Sequence, residues 1–142
     1  MEIGTLQFHH FGLAVRRPHK AFAFLASLGY RDGKQVFDPL QSVNLAMRHH
    51  PAMPDVEVIW PADAISPIDN LIKGGKSLVY HLCFAAPDPE RALASLQAAG
   101  HQLVELAPPK AAILFGGLPV SFHNVLGFGM IEIIHGLPEE QP

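Results

Sequence analysis

Residues 81–86 read His81-Leu82-Cys83-Phe84-Ala85-Ala86, and residues 10–15 read His10-Phe11-Gly12-Leu13-Ala14-Val15. Each is a short apolar run opened by a histidine, the composition of a strand buried on at least one face. Two such runs in one chain point to an internal repeat, and a repeat governs the fold assignment.

Working outward, a helix is expected after each run. The first spans Pro18 to Leu28 and is closed by Gly29. The second has Asp88 as N-cap, Pro89 at the first helical position and Gly100 at the end. That order of cap, proline and glycine is the one helices favour. Leu25 and Leu28, like Leu93 and Leu96, lie three apart and can face a sheet. Three extended segments come after each helix: Tyr30–Val36, Gln41–Met47 and Val56–Trp60, then Gln102–Leu106, Pro119–His123 and Met130–Ile134. The closing strands correspond best. Val56-Glu57-Val58-Ile59-Trp60 and Ile131-Glu132-Ile133-Ile134-His135 each carry one glutamate inside an apolar run.

The expected fold is therefore α+β, two βαβββ modules in one domain over 1–142, with halves at about 6–62 and 78–136 and a linker at about 61–77. A short helix is expected at Pro67–Lys73, turns at Gly116-Gly117 and Gly127-Phe128-Gly129, and a loose tail from Leu137.

Composition narrows the function classes. A chain of 142 residues is one ordinary domain and can bury a core without staples. Charged residues make up 16%, below the usual quarter, so more surface than usual is expected to be covered by a pocket or a second subunit. The net charge is −3 and the ten Lys and Arg are scattered, which argues against nucleic-acid binding. Cys83 has no partner for an internal disulfide, in keeping with a reducing compartment. The first residues, Met-Glu-Ile-Gly, do not read as a signal peptide, and no apolar run approaches a membrane span. A cytoplasmic protein without membrane association is expected.

The chemistry rests on His10, Glu57, His81 and Glu132, which occupy matching repeat positions. His10 and Glu57 are 47 residues apart, His81 and Glu132 51. A carboxylate buried in a strand is costly unless it is paired or bound to a metal. Alternation along Val56–Ile59 also lets Glu57 point to solvent, but the same pairing in both halves favours a shared purpose. Imidazole and carboxylate donors suit one divalent ion among Co, Ni, Mn, Zn and Fe rather than soft copper.

At these residues the sequence resembles the vicinal oxygen chelate superfamily, which includes glyoxalase I, methylmalonyl-CoA epimerase, bleomycin-resistance proteins and extradiol dioxygenases. The resemblance runs from about Phe8 to His135 and is carried by the His-x-Gly-x-Ala-Val opening, Tyr80-His81-Leu82-Cys83-Phe84 and the final Ile-Glu-Ile-Ile strand. It implies an eight-stranded, incompletely closed barrel around a metal held by His10, Glu57, His81 and Glu132. The choice of His10 over His9 rests on the family register, since His9 is expected on the opposite strand face. The segments Ser66–Ile72 and Gly74–His81 are similar to the epimerase branch.

For that branch the resemblance implies epimerisation of a methylmalonyl-CoA-like acyl thioester through a metal-stabilised enolate. Two acid/base groups are needed, one on each face of the carbanion. Glu132 is one. Gln35 stands where the second is expected, and a glutamine exchanges no proton at neutral pH; Asp38, before Pro39, reads as a turn residue instead. Phe115 and Gly117 are expected over the open side of the trough, with Leu118 where relatives often carry a basic residue, and His123 is expected to line the pocket. His49 and His50 read as solvated loop residues, His135 as structural and Cys83 as core on the face of His81.

Two other functions fit the same pattern. A glyoxalase I-type lyase needs one base, so Gln35 is no obstacle. A non-catalytic binding protein of the bleomycin-resistance kind would lack the ligands. A small-molecule substrate and a homodimer are expected throughout.

Overall fold

A computed structural model describes residues 6–63, 65–66, 68–70, 72–73 and 78–139. Its elements run β1 Gln7–Ala14, α1 His19–Ser27, β2 Arg31–Asp38, β3 Val43–His49, β4 Asp55–Pro61, β5 Leu78–Ala86, α2 Pro89–Ala98, β6 Leu103–Ala111, β7 Pro119–Val125 and β8 Gly129–His135. This is βαβββ twice, the α+β class with eight strands that the repeat predicts. A 3₁₀ turn at Ile113–Phe115 precedes β7.

The chain forms two compact units. Among the described residues, one is His10–Tyr80 and the other joins 6–9 to 81–139.

The helices end as their glycines predict. At the end of α1, Tyr30 N–H reaches Leu25 O and Gly29 N–H reaches Ala26 O, both at 3.0 Å. At the end of α2, His101 N–H reaches Leu96 O at 3.1 Å and Gly100 N–H reaches Gln97 O at 3.0 Å. Gly29 and Gly100 both have φ of 97°, the left-handed conformation this closure requires. Asp88 caps α2 by accepting from Arg91 N–H at 3.1 Å.

In the His10–Tyr80 unit the strand order is β2-β3-β4-β1. Val56, Val58 and Leu13 take one face and pack under Leu25, Phe22 and Ala21 of α1. Residues that alternate with these, Ala14, Val43, Leu45 and Ile59, take the other and pack with Ile68 and Ile72 of the linker. Ile68 and Ile72 thus cover the part of the helix-free face that bears Ala14, Val43 and Ile59. The short helix expected at Pro67–Lys73 falls partly outside the described residues; 68–70 form a turn.

The second unit repeats this with order β5-β8-β7-β6. Ile131, Ile133, Phe84 and Ala86 pack under Ala92 and Leu93 of α2. Strand β6 extends past the expected end at Leu106 through Pro108 and Pro109 to Ala111. It lies last in the order, where missing N–H groups cost little. Among the described residues no helix is long and apolar enough to cross a membrane.

The structure corrects the expected His49–His50 loop. His49 ends β3, is buried, and its Nδ1 meets Asp55 Oδ2 at 3.0 Å. His50 Nδ1 accepts from Ala52 N–H at 2.9 Å and Met53 N–H at 3.0 Å, leaving Nε2 to donate to Leu28 O at 2.9 Å. That bond ties the turn after β3 to the C-terminus of α1. Asp38 has the turn role read from the sequence: its buried carboxylate accepts from Leu40 N–H at 2.9 Å and Gln41 N–H at 3.3 Å.

Candidate functional site

β1 and β4 pair in parallel, with His10 beside Asp55 and Gly12 beside Glu57. Both His10 and Glu57 therefore rise from the helix-free face. Gly12, level with Glu57, places no side chain between them. His10 is 0% exposed and Glu57 3%, and His10 Nε2 lies 3.5 Å from Glu57 Oε2.

The second unit repeats the pair. Cys83 of β5 is level with Glu132 of β8, so His81, two residues earlier, shares that face. His81 is 2% exposed and Glu132 4%, with His81 Nε2 3.3 Å from Glu132 Oε1. Phe122 faces Glu132 from β7 and stands edge-on to the His81 ring, with centroids 5.7 Å apart. This contact holds the imidazole plane.

The spacing within each pair fits two donors aimed at one cation. Separations of 3.3 and 3.5 Å exceed a good charge-assisted hydrogen bond. Ligands bonded at about 2.1 Å with tetrahedral or octahedral angles sit roughly 3.0–3.4 Å apart. Nitrogen and carboxylate oxygen are the donor set for Zn, Mn, Fe, Co or Ni.

The other expected site residues divide. Phe115 is buried in the 3₁₀ turn, edge-on to the His9 ring with centroids 5.3 Å apart. Gly117 has φ of 85° and its N–H closes the turn on Ala112 O at 2.9 Å, a backbone role.

His123 and Gln35 are corrected. His123 pairs with Ile131 on β8, so it lies on the face covered by α2, opposite Glu132. There its Nε2 meets Ser121 Oγ at 2.8 Å, and the same oxygen meets His135 Nε2 at 2.8 Å. Desolvation holds the pKa of His123 below the usual histidine value, opposed by Glu105 and reinforced by His135. Desolvation likewise lowers His135 against Glu105. Phe122, the neighbour of His123 in β7, is on the site face opposite Glu132. Gln35 is exposed and pairs with Ala46, which pairs with Val58; all three are on the α1 face, away from Glu57.

His9 also departs from expectation. One of its ring nitrogens lies within 4.8 Å of Cys83 Sγ, and Cys83 shares the face of Glu132. Simple alternation from His10 misses this placement. The ring contact with Phe115 shows where it leads.

Over residues 9–122 the chain matches the family model described as the glyoxalase/bleomycin resistance protein/dioxygenase superfamily. No curated protein matches the sequence. Among solved structures, methylmalonyl-CoA epimerase from Mycobacterium tuberculosis is similar with a TM-score of 0.73 at 18% identity, covering 93% of this chain and 89% of that one. A hypothetical protein of Bacillus halodurans aligns with a TM-score of 0.77 at 18% identity, covering 97% and 99%. A methylmalonyl-CoA epimerase in complex with methylmalonyl-CoA aligns with a TM-score of 0.71 at 18% identity, covering 96% and 99%. At these identities the structures establish a shared fold.

Proposed function

Because the chain belongs to the glyoxalase/bleomycin resistance protein/dioxygenase superfamily, we propose that His10, Glu57, His81 and Glu132 together hold one divalent cation, and that the protein is an isomerase of acyl thioesters of the methylmalonyl-CoA epimerase kind. The observation that carries this reading is the duplicated buried His–Glu pair, one in each βαβββ module at the same strand positions. A carboxylate buried in an apolar strand is costly unless it is paired or bound to a metal, and a shared cation answers both pairs at once. The epimerases among the structural neighbours support the choice of substrate class.

A divalent cation bound there supplies a Lewis acid that eases loss of a proton beside a carbonyl. The chain's own residues do the rest. Glu132 exchanges the α-proton on one face of the enolate, and inversion requires a second donor on the opposite face. Phe122 stands edge-on to the His81 ring and Phe115 edge-on to the His9 ring. The cation is one of Co, Ni, Mn, Zn or Fe. A homodimer in the cytoplasm belongs to the same reading; the exposed Phe24, Phe37 and Phe128 are apolar side chains a partner could cover.

A glyoxalase I-type lyase is the second reading, favoured by the placement of Gln35 away from Glu57. That reaction needs one acid/base group. The experiment is α-proton exchange in heavy water on methylmalonyl-CoA, beside turnover of the hemithioacetal of methylglyoxal and glutathione, with metal-loaded and metal-stripped protein. Exchange that requires metal supports the isomerase. Turnover of the hemithioacetal alone supports the lyase. Absence of metal after reconstitution points instead to a binding protein.

A further inference from the structure

We propose that His9, His10 and Cys83 form a second cation site, one that takes a thiophilic ion such as zinc, cadmium or copper(I). The site goes beyond the isomerase reading and shares only His10 with the four-residue centre.

The placement comes from a break of parity in β1. Leu6 packs into the cluster under α2, and Phe8 stands edge-on to Phe84 of that cluster with ring centroids 5.8 Å apart. Phe8 is therefore turned to α2, and His9 to the helix-free face of its unit. Phe11 and Leu13 pack under α1, which turns His10 to the helix-free face of its own unit, in keeping with its register beside Asp55. Strict alternation would set Phe8 and Phe11 on opposite sides. Both face helices instead, so the two histidines between them both face away from helices. Cys83 shares the face of Glu132, and a ring nitrogen of His9 lies within 4.8 Å of its sulfur. His10, bonded to His9, is the third donor of the group.

The donor set differs in kind from that of the four-residue centre. One thiolate and two imidazoles suit zinc and softer ions, whereas carboxylates favour harder ones. Cys83 and His10 are each 0% exposed and His9 is half-buried, so the donors are screened from bulk water and an ion enters past His9. Bonds of about 2.3 Å from sulfur and 2.1 Å from nitrogen bring tetrahedral donors to roughly 3.6 Å of one another, so modest side-chain rotation suffices. Cys83 Sγ meets Phe84 O at 4.0 Å, a long contact whose thiol proton the cation replaces. Three protein donors leave the fourth position to water or an added ligand.

The test titrates cadmium into the metal-free chain. Cys83 is the only cysteine in the sequence, so a thiolate-to-cadmium charge-transfer band in the ultraviolet reports this site. The band should saturate in wild type and in Glu57→Ala, which lacks a donor of the four-residue centre alone. It should be lost in Cys83→Ser and Cys83→Ala, with circular dichroism checking that each variant folds. His9→Gln should weaken cadmium binding about tenfold or more, since even partners outside the ligand shell cost that much. Cadmium NMR of wild type needs no variant: a resonance in the sulfur-ligated range upholds the site, and one in the range of nitrogen and oxygen ligands alone overturns it. Absence of the band in wild type, or equal cadmium affinity in His9→Gln, overturns it as well. Manganese, a harder ion, gives no sulfur signal and is read by metal content. Failure of wild type to hold manganese would end the four-residue reading without touching the cadmium band, so the two are judged separately.

Discussion

Gln35 faces Ala46 across the β2–β3 ladder, and Ala46 faces Val58 across β3–β4, so Gln35 and Glu57 project from opposite faces of the same sheet. Gln35→Glu therefore should not create a second acid/base group, and Gln35→Ala should leave α-proton exchange within about twofold. Stability should shift by no more than about 0.5 kcal/mol, as for an exposed position without special contacts. Exchange rates and urea midpoints check this. A tenfold change in exchange from either substitution would contradict the face assignment.

Removing one carboxylate from either His–Glu pair should cost most of the metal, because each pair supplies one charged donor. Glu57→Ala and Glu132→Ala should each fall from about one ion per chain to a small fraction after dialysis against micromolar metal. Glu57→Gln keeps a neutral oxygen donor and should retain more than Glu57→Ala. Plasma mass spectrometry reads the content, and the melting temperature should drop on chelation in wild type but not in the depleted variants, since a ligand stabilises only a chain that binds it. Full occupancy in Glu132→Ala would remove Glu132 from the donor set.

The strands, helices, caps and both His–Glu pairs are legible in the sequence because each arises from a local pattern: apolar runs, Asp88-Pro89, the glycines after each helix, and glutamates set in apolar strands. Parity is what the sequence hides. The extra residue in β2 shifts the pairing register between Asp32 and Gln35, and nothing in Asp32-Gly33-Lys34-Gln35 announces it. His123 misleads for a related reason: a polar residue in an apolar strand looks like a site residue, yet its partners Ser121 and His135 satisfy it on the helix-covered face. His49 reads as loop because His-His-Pro looks like a break. The break falls one residue later, at His50, whose ring closes the turn.

Gly33 is needed for space rather than for backbone freedom. A Cβ there would lie 2.5 Å from His49 Nε2 and 2.9 Å from Met47 O. The carbonyl cannot yield without disturbing the β2–β3 ladder. Gly33→Ala should cost about 1–3 kcal/mol, the range for forcing a methyl into a filled site. The urea midpoint reads it. Pairing the change with His49→Ala should recover part of the loss, since the clash with the ring is then relieved; the two costs adding independently would show that His49 is not the obstacle.

The Ser121 network should make the second unit sensitive to acid. A hydroxyl can donate to one ring and accept from the other, so Ser121 Oγ joins a neutral His123 to a neutral His135. Desolvation lowers both folded pKa values, against the pull of Glu105. The unfolded chain, with histidines near 6.5, binds more protons than the folded chain between the depressed values and 6.5. The stability that these neutral rings confer is therefore complete above that pH and is lost as the pH falls below it toward the folded values. Urea midpoints of metal-free protein at pH 7.5 and 5.5 should differ in this direction, and the difference should shrink in a His123→Gln/His135→Gln variant. Ser121→Ala should cost about 1–3 kcal/mol at pH 7.5 by stripping a buried ring nitrogen of its partner. A midpoint equally sensitive to acid in the double variant would assign the effect to other groups.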